Sequence, residues 1–374
     1  MRQFATVAVF QWLDVYSGTL CAADSGECNS SLLLIKYAYM KKLVWILVII
    51  IGSLSIVYVL GPTPETPVYD SALPEMPSTA AALEAVITAS ESARKVKPDN
   101  EARIVWADSL HQKTPYSIVY LHGFSASQEE GDPVHEHFAK TFGCNLYLAR
   151  LAEHGIDTTD VMVGLTADKY WNSVKEALAI GMQIGEKVIL MGTSTGGTNA
   201  LQLAATYPDK VHALILYSPN IEIFDPNAPL LNDPWGLQIA RQVIGSRYIT
   251  TKNQSETYRK YWNSKYRLEA VVALQELVET TMTPETFGRV KQPTLLLYYY
   301  KDEVHQDSVV KVSAMRDMFD ALGTPTELKR ATPIPTAGNH VIASWVVSGD
   351  IPRVQAETQR FAIEVLKMNP LRTP

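Results

Sequence analysis

The residues best placed to do chemistry are Gly192-Thr193-Ser194-Thr195-Gly196-Gly197, which follow the apolar run KVILM at 187–191 and open the helix-like stretch GGTNALQLAA. A serine hydroxyl is a poor nucleophile until a neighbouring base takes its proton. The pattern G-x-S-x-G between a strand and a helix meets the structural side of that demand. A tight, strained turn lifts the serine off the sheet, and Gly192 and Gly196 let backbone approach where a Cβ would collide. The N–H groups at the start of the following helix face the place where negative charge develops during acyl transfer. Ser194 is therefore the candidate nucleophile. His135 and His137 are spaced two apart and point to different sides of a helix. With no H-E-x-x-H and no Cys-x-x-Cys in the chain, no metal site is expected.

The elements around this turn follow a regular alternation. Short apolar runs at 117–121, 145–149, 187–191, 213–217 and 294–300 each end in polar or glycine-containing turns. Continuous apolar runs suit strands covered on both faces. Helix-like segments at 167–186, 197–207 and 309–322 lie between them, which implies a mostly parallel sheet with helices on both faces. Residues 103–106 could add an antiparallel edge strand. In such sheets the chemistry collects at the carboxyl ends of the strands.

Between Pro219 and Val290 the alternation stops for about 70 residues. So long a connection is usually a lid or a disordered insert, and Leu230, Leu231, Trp235, Leu237 and Ile239 make it too apolar for disorder. Helical stretches are expected near 237–243, 255–264 and 266–280. The insert, about 219–290, reads as a helical cap over the active site, or alternatively as an extra helical layer with no role in substrate binding.

With these features in place, residues 102–370 resemble the α/β-hydrolase family of serine esterases and lipases, nearest the monoacylglycerol lipase and carboxylesterase type. The elbow residues Gly192, Ser194 and Gly196 carry the match. The family order of serine, acid, histidine implies Asp302, in Tyr300-Lys301-Asp302-Glu303-Val304, as the acid. Glu303 and Asp307 are its neighbours and alternatives. It implies His340, in Ala337-Gly338-Asn339-His340-Val341, as the general base. His305, three residues past Asp302, is expected to line the site or face solvent. The resemblance further implies that the backbone N–H groups of Phe124 and Thr195 form the oxyanion hole, with His122 bracing that loop. Residues 150–155 (RLAEHG) stand where the family usually carries Arg-Gly-His-Gly, and the departure at Leu151 to Glu153 leaves the role of His154 open.

Ahead of this body lies LVWILVIIIGSLSIVYVL at 43–60, without a charge in 18 residues. As a helix it would cover about 27 Å, close to a bilayer's hydrocarbon thickness. Lys41 and Lys42 precede it, and Glu65, Asp70 and Glu75 come before the next basic residue, Arg94. The positive-inside rule then leaves the N-terminus in the cytoplasm and the body outside. A cleaved signal peptide is the competing reading, although Gly61-Pro62-Thr63-Pro64 follows in place of an A-x-A-like site. A buried core helix is the third. Residues 1–39 show no clear periodicity, and Met40-Lys41-Lys42 reads as a natural start of an export segment. The Pro-, Thr-, Ser- and Ala-rich stretch 62–100 reads as a tether with one helix over 79–96.

Composition supports this organisation. The chain has 374 residues, is 47% hydrophobic and 19% charged, and carries a net charge of -6. A protein with a sizeable core fits these values, and a strong phosphate-binding surface does not, so nucleic acid is excluded as the main partner. Three cysteines (Cys21, Cys28, Cys144) cannot make a disulfide framework, and Cys144 reads as buried filler. The expected arrangement is one N-terminal helix (40–61), a linker (62–100) and an α/β-hydrolase domain (101–374). The expected activity is hydrolysis of small-molecule esters with apolar acyl groups, with no cofactor. Peptidase, amidase and thioesterase readings share the same residues, and a silent binding module of the same fold is the rival class. A dehalogenase or epoxide hydrolase would need Asp where Ser194 stands.

Overall fold

The computed structural model describes residues 30–371, so Cys21, Cys28 and residues 1–29 of the N-terminal extension lie outside the described residues. Met1–Gly61 and Pro62–Pro374 are separate units. In the first, helix α1 spans Ser30–Val59, and Leu34–Val59 is long and apolar enough to cross a membrane. The helix begins ten residues before the expected segment. Leucine, alanine, methionine and lysine are all good helix formers, so Lys36, Lys41 and Lys42 do not interrupt it. It stops before Gly61-Pro62, where proline disfavours helical geometry in the preceding residue.

The second unit is built on a seven-stranded sheet in the order β1-β3-β2-β4-β5-β8-β9. Its strands are β1 (Arg103–Val105), β2 (Thr114–Leu121), β3 (Asn145–Leu148), β4 (Gly185–Thr193), β5 (Val211–Tyr217), β8 (Thr294–Tyr298) and β9 (Lys329–Pro333). Only the edge strand β1 is antiparallel, paired to β3; the rest are parallel. Successive strand residues enter opposite cores, as a period of two requires. Val119, Leu121, Leu190, Leu214, Leu216 and Leu296 join one core. Ile118, Tyr120, Ile189, Met191, Ile215 and Leu295 join the other.

Helices cover both faces. The first core takes side chains from α2 (Ala80–Ser92), α4 (Ala167–Ile184), α5 (Thr195–Thr206), α8 (Leu268–Thr281), α9 (Pro284–Arg289) and α10 (Val312–Ala321). The second takes them from α3 (Val134–Phe142) and α11 (Ile351–Glu364). This is the α/β layering the sequence implies.

Two segments differ from expectation. The stretch 62–100 is no loose tether. Lys175 Nζ, on α4, donates to the carbonyls of Asp70 and Ala72 and to the Asp70 carboxylate. Trp171 Nε1 donates to the Asp70 carbonyl, and the hydroxyls of Tyr69 and Thr280 bond at 2.6 Å. Leu83 and Ile87 of α2 are buried in the main core. Composition marked this segment as linker-like, yet its scattered apolar residues find partners on α4 and α8.

The insert between β5 and β8 also divides. Its first part holds α6 (Gly236–Ile244), α7 (Glu256–Tyr261) and a two-stranded antiparallel ladder of β6 (Tyr248–Thr250) with β7 (Lys265–Arg267). Three-residue strands leave too little alternation to be read from sequence. Its second part, α8 and α9, rejoins the main core through Ala270, Ala273, Leu277 and Phe287. Part of the insert is thus the extra helical layer.

Candidate active site

Parallel strands place all their carboxyl ends at one edge of the sheet, and β4, β8 and β9 each deliver one candidate residue there. Ser194 follows β4 directly with φ 53° and ψ −120°, a left-handed conformation costly for a residue with a Cβ. Its N–H donates to the Tyr217 carbonyl, and its carbonyl accepts from Gly197, Thr198 and Asn220 N–H, so the surroundings fix the strain. The two flanking glycines are required by space. A Cβ on Gly196 would collide with the Leu121 carbonyl oxygen, and one on Gly192 would lie 2.6 Å from the Gly196 backbone.

His340 lies in the loop after β9, and its ring is held by Asp307: Nδ1 is 2.6 Å from Oδ2. A carboxylate acceptor on Nδ1 leaves Nε2 as the free, proton-accepting nitrogen. That Nε2 is buried and has no hydrogen-bond partner. Burial works to lower the imidazole's affinity for a proton, but the effects opposing it, the Asp307 carboxylate foremost, leave the pKa above the ordinary value. Ser194 Oγ and His340 Nε2 are not hydrogen bonded to each other.

The expected acid, Asp302, is not His340's partner. After β8 the chain makes a short excursion closed by the Tyr300–Gln306 bridge, and Lys301 and Asp302 N–H both donate to the His305 carbonyl. Asp302 sits at the exposed tip. It accepts from Val304 and His305 N–H, and its Oδ1 lies 2.9 Å from His305 Nδ1. Those bonds, the His305 amide first, hold its carboxyl below the usual range. Asp307 returns to the base of the excursion with a fully buried side chain. Its Oδ1 accepts from Val309 and Val310 N–H at 2.8 and 3.1 Å, and Oδ2 is left for the imidazole. The correction has a legible signal. Lys301-Asp302-Glu303 is a solvent-facing charge run, whereas Asp307 stands three residues before Val310, which returns to the core.

The loop after β2 carries Phe124, whose N–H is one of the two expected oxyanion donors. His122 Nε2 accepts from Leu151 N–H at 3.0 Å, so its Nδ1 carries the proton and donates to the Gly123 carbonyl at 2.9 Å. A trans peptide points its N–H away from its carbonyl. With Gly123 O held on one side, Phe124 N–H is directed to the other. Thr195, the first residue of α5, has no intrahelical acceptor for its N–H. The open question of His154 is answered by the same logic. Its Nε2 accepts from Ser125 N–H at 3.0 Å and its Nδ1 donates to the Ala152 carbonyl, so it braces the loop in parallel with His122. Both rings are buried and neutral; burial pushes His122 down to about 4 and holds His154 well below the ordinary value.

Sequence reading did not single out Glu130. It lies in the 3-10 turn Gln128–Gly131 and is fully buried, with Oε2 accepting the Gly123 N–H. Nothing in Gln128-Glu129-Glu130-Gly131 distinguishes a buried acid from an exposed one. A small satellite cluster of Ala126, Tyr261, Trp262 and Val341 packs beside it, and Asn263 N–H donates to the Ser125 carbonyl at 2.7 Å. The insert thus bonds directly to the loop after β2. No group of His, Cys, Asp and Glu suited to a metal occurs among the described residues. Burial pushes the Cys144 thiol up to about 12, as an inert core thiol would be.

Comparison with known proteins agrees with this fold. Among solved structures, a chain described as belonging to LipS and LipT, two metagenome-derived lipolytic enzymes, superposes with a TM-score of 0.57 at 17% identity, covering 71% of this chain and 98% of that one. The fold is that of the α/β hydrolases. DcsB, in complex with its substrate analogue, gives a TM-score of 0.50 at 17% identity over 72% of this chain and 98% of its own. Within this α/β-hydrolase domain, residues 166–332 match the profile of a family described as serine aminopeptidase, S33. The match includes Ser194 and Asp307 and ends before His340. No curated protein matches the sequence.

Proposed function

We propose that this protein is a serine hydrolase that cleaves carboxylic esters through an acyl-enzyme on Ser194. The observation that carries the reading is a histidine whose buried Nε2 is free and whose Nδ1 is held by a buried carboxylate, delivered to the same sheet edge as a strained, glycine-flanked serine. In the first step His340 Nε2 takes the Ser194 proton as Oγ attacks the substrate carbonyl. Phe124 and Thr195 N–H then stabilise the oxyanion, and the imidazolium, steadied by Asp307, returns the proton to the leaving alkoxide. Water repeats the sequence on the acyl-enzyme. The partly apolar cap, with Tyr258, Tyr261 and Trp262 beside the site, favours an apolar acyl group.

A fluorophosphonate probe tests this directly. Wild type labels and Ser194→Ala does not, and p-nitrophenyl esters of graded chain length then rank the acyl preference. Intact protein that neither labels nor hydrolyses any ester overturns the reading. The family profile matched at 166–332 favours one competing substrate class, aminoacyl amides. Faster turnover of an aminoacyl p-nitroanilide than of any p-nitrophenyl ester would move the assignment to a peptidase.

We further infer that α1 is an uncleaved anchor with the catalytic domain outside the cytoplasm. Lys41 and Lys42 at its N-terminal side and the acidic residues after it support that orientation. Protease added to intact cells or spheroplasts should then remove the domain.

A further inference from the structure

Glu130 has no part in the chemistry above, yet its carboxyl and the nucleophile's side chain flank the same glycine. A Cβ built on Gly123 would lie 2.9 Å from Glu130 Oε1 and 3.0 Å from Ser194 Cβ. Both side chains thus approach the position a Cβ on Gly123 would take. We propose that Glu130 positions the oxyanion loop: its carboxyl clamps the Gly123 amide beside Ser194, and the site works only while that carboxyl is uncharged. The proposal rests on the serine-hydrolase reading.

The clamp follows from the bonds around Gly123. Its N–H donates to Glu130 and its carbonyl accepts from the His122 ring and from Ala126 N–H. The two peptides that aim Phe124 N–H are thereby held from both ends. Glu130's own turn is anchored to the loop that carries His340. Ser344 Oγ donates to the Glu129 carbonyl at 2.9 Å, and Trp345 N–H donates to the Asp132 carbonyl. Trp345 Nε1 donates to the Glu129 carboxylate at 2.8 Å. Glu130 therefore ties the oxyanion donor to the general base through one stretch of chain.

The protonation requirement follows from what surrounds the carboxyl. The groups facing it are His340 from the loop after β9, Tyr120 from β2, Tyr170 from α4, and Tyr258 and the Trp262 indole from the cap. No lysine or arginine is among them. A carboxylate charge there would sit in a dry pocket beside the position of the oxyanion and oppose its formation. Burial accordingly pushes Glu130 up to about 8, against the lowering effects of the Gly123 bond, His340 and Trp262. At neutral pH the side chain is mostly the neutral acid. Its carbonyl oxygen accepts from Gly123 N–H without adding charge.

The test is the pH dependence of p-nitrophenyl butyrate hydrolysis from pH 5 to 10 by wild type, Glu130→Gln and Glu130→Ala. Wild-type kcat/KM should fall above a limb near pH 8. The isosteric Gln still accepts the Gly123 amide, so it should keep activity within about threefold at pH 6.5 and lose the alkaline limb. The Ala variant should lose kcat by about 100-fold with KM nearly unchanged, as expected for a displaced oxyanion donor. An alkaline limb that persists in Glu130→Gln, or near-wild-type kcat in Glu130→Ala, overturns the proposal. If the Ala variant does not fold, the Gln profile decides alone. Fluorophosphonate labelling at pH 6.5 separates the two readings: a wild type that fails to label sinks the serine-hydrolase assignment, whereas a labelled wild type with an unaltered Gln profile sinks only the role of Glu130.

Discussion

Asp307 Oδ2 lies 2.6 Å from His340 Nδ1, and the same carboxylate's other oxygen is saturated by the amides of Val309 and Val310. That division of labour fixes one tautomer of the imidazole and leaves the carboxylate one outlet for its charge. Asp307→Asn should therefore lower kcat by about 1,000- to 10,000-fold. Asp302→Asn, at an exposed turn tip bonded to His305, should stay within about threefold of wild type. Steady-state hydrolysis of one p-nitrophenyl ester by both variants decides the assignment; the reverse ranking would restore Asp302.

The sheet, its strand boundaries to within a few residues, and the Ser194 elbow were legible because each rests on local pattern. An apolar run ending in glycine reports burial on both faces and a sharp turn. Choosing between Asp302 and Asp307 depends on a seven-residue excursion closed by the Tyr300–Gln306 bridge, which apolar periodicity does not encode. Glu130 was hidden for a related reason. Its burial comes from Tyr120, Tyr170 and Trp262, which are remote in sequence, while its neighbours Glu129 and Asp132 read as surface. The stretch 62–100 reads as a tether because proline-rich composition reports stiffness and polarity and carries no information about docking partners such as Trp171 and Lys175.

The strained elbow gives a prediction of stability. A methyl at Gly196 meets the Leu121 backbone, which belongs to a central strand and cannot yield. Gly196→Ala should give little soluble protein, or a Tm at least 10 °C lower, whereas Gly288→Ala, in open space, should leave Tm unchanged. Equal melting curves for the two would show that the turn tolerates a Cβ.

The buried imidazoles set the acid limit of the fold. His122 and His135 are pushed down to about 4 by burial, and burial also holds His154 well below the ordinary value. In the unfolded chain these rings titrate near pH 6.5, so unfolding takes up protons below that value. Their contribution is fully present above pH 6.5 and is lost as pH falls toward 4, by about 3 kcal/mol for a single ring. Calorimetry at pH 5 in buffers of different ionisation enthalpy should show proton uptake, and a smaller uptake for His135→Gln. Identical uptake by the variant would mean that the His135 ring is already charged in the fold.

Glu130 acts with the opposite sign. Its folded pKa of about 8 exceeds the ordinary carboxyl value. Ionisation of the unfolded chain therefore erodes stability as pH rises from about 4.5 to 8 and no further beyond. Relative to wild type, Glu130→Gln should gain stability progressively over that window, reaching about 3–5 kcal/mol at pH 9. Thermal melts at pH 4.5 and 9 check this, and a stability difference independent of pH would show that the carboxyl is not held neutral.

The strap that follows α1 makes the last prediction. Lys175 Nζ is almost fully buried and holds the carbonyls of Asp70 and Ala72 together with the Asp70 carboxylate, while Trp171 and Tyr207 donate to the carbonyls of Asp70 and Ser71. Tyr69, Leu73 and Met76 pack against the main core. Lys175→Met removes three donated bonds but keeps the apolar stem, and should cost about 1–3 kcal/mol, roughly 2–6 °C in Tm for a domain of this size. A chain beginning at Pro62 keeps the whole strap and should melt with the full-length protein in detergent. One beginning at Ser78 uncovers Trp171 and the core beneath Tyr69 and should melt more than 5 °C lower. If both truncations melted alike, the strap would be a passive tether after all, and residues 62–77 would contribute nothing to the stability of the hydrolase domain.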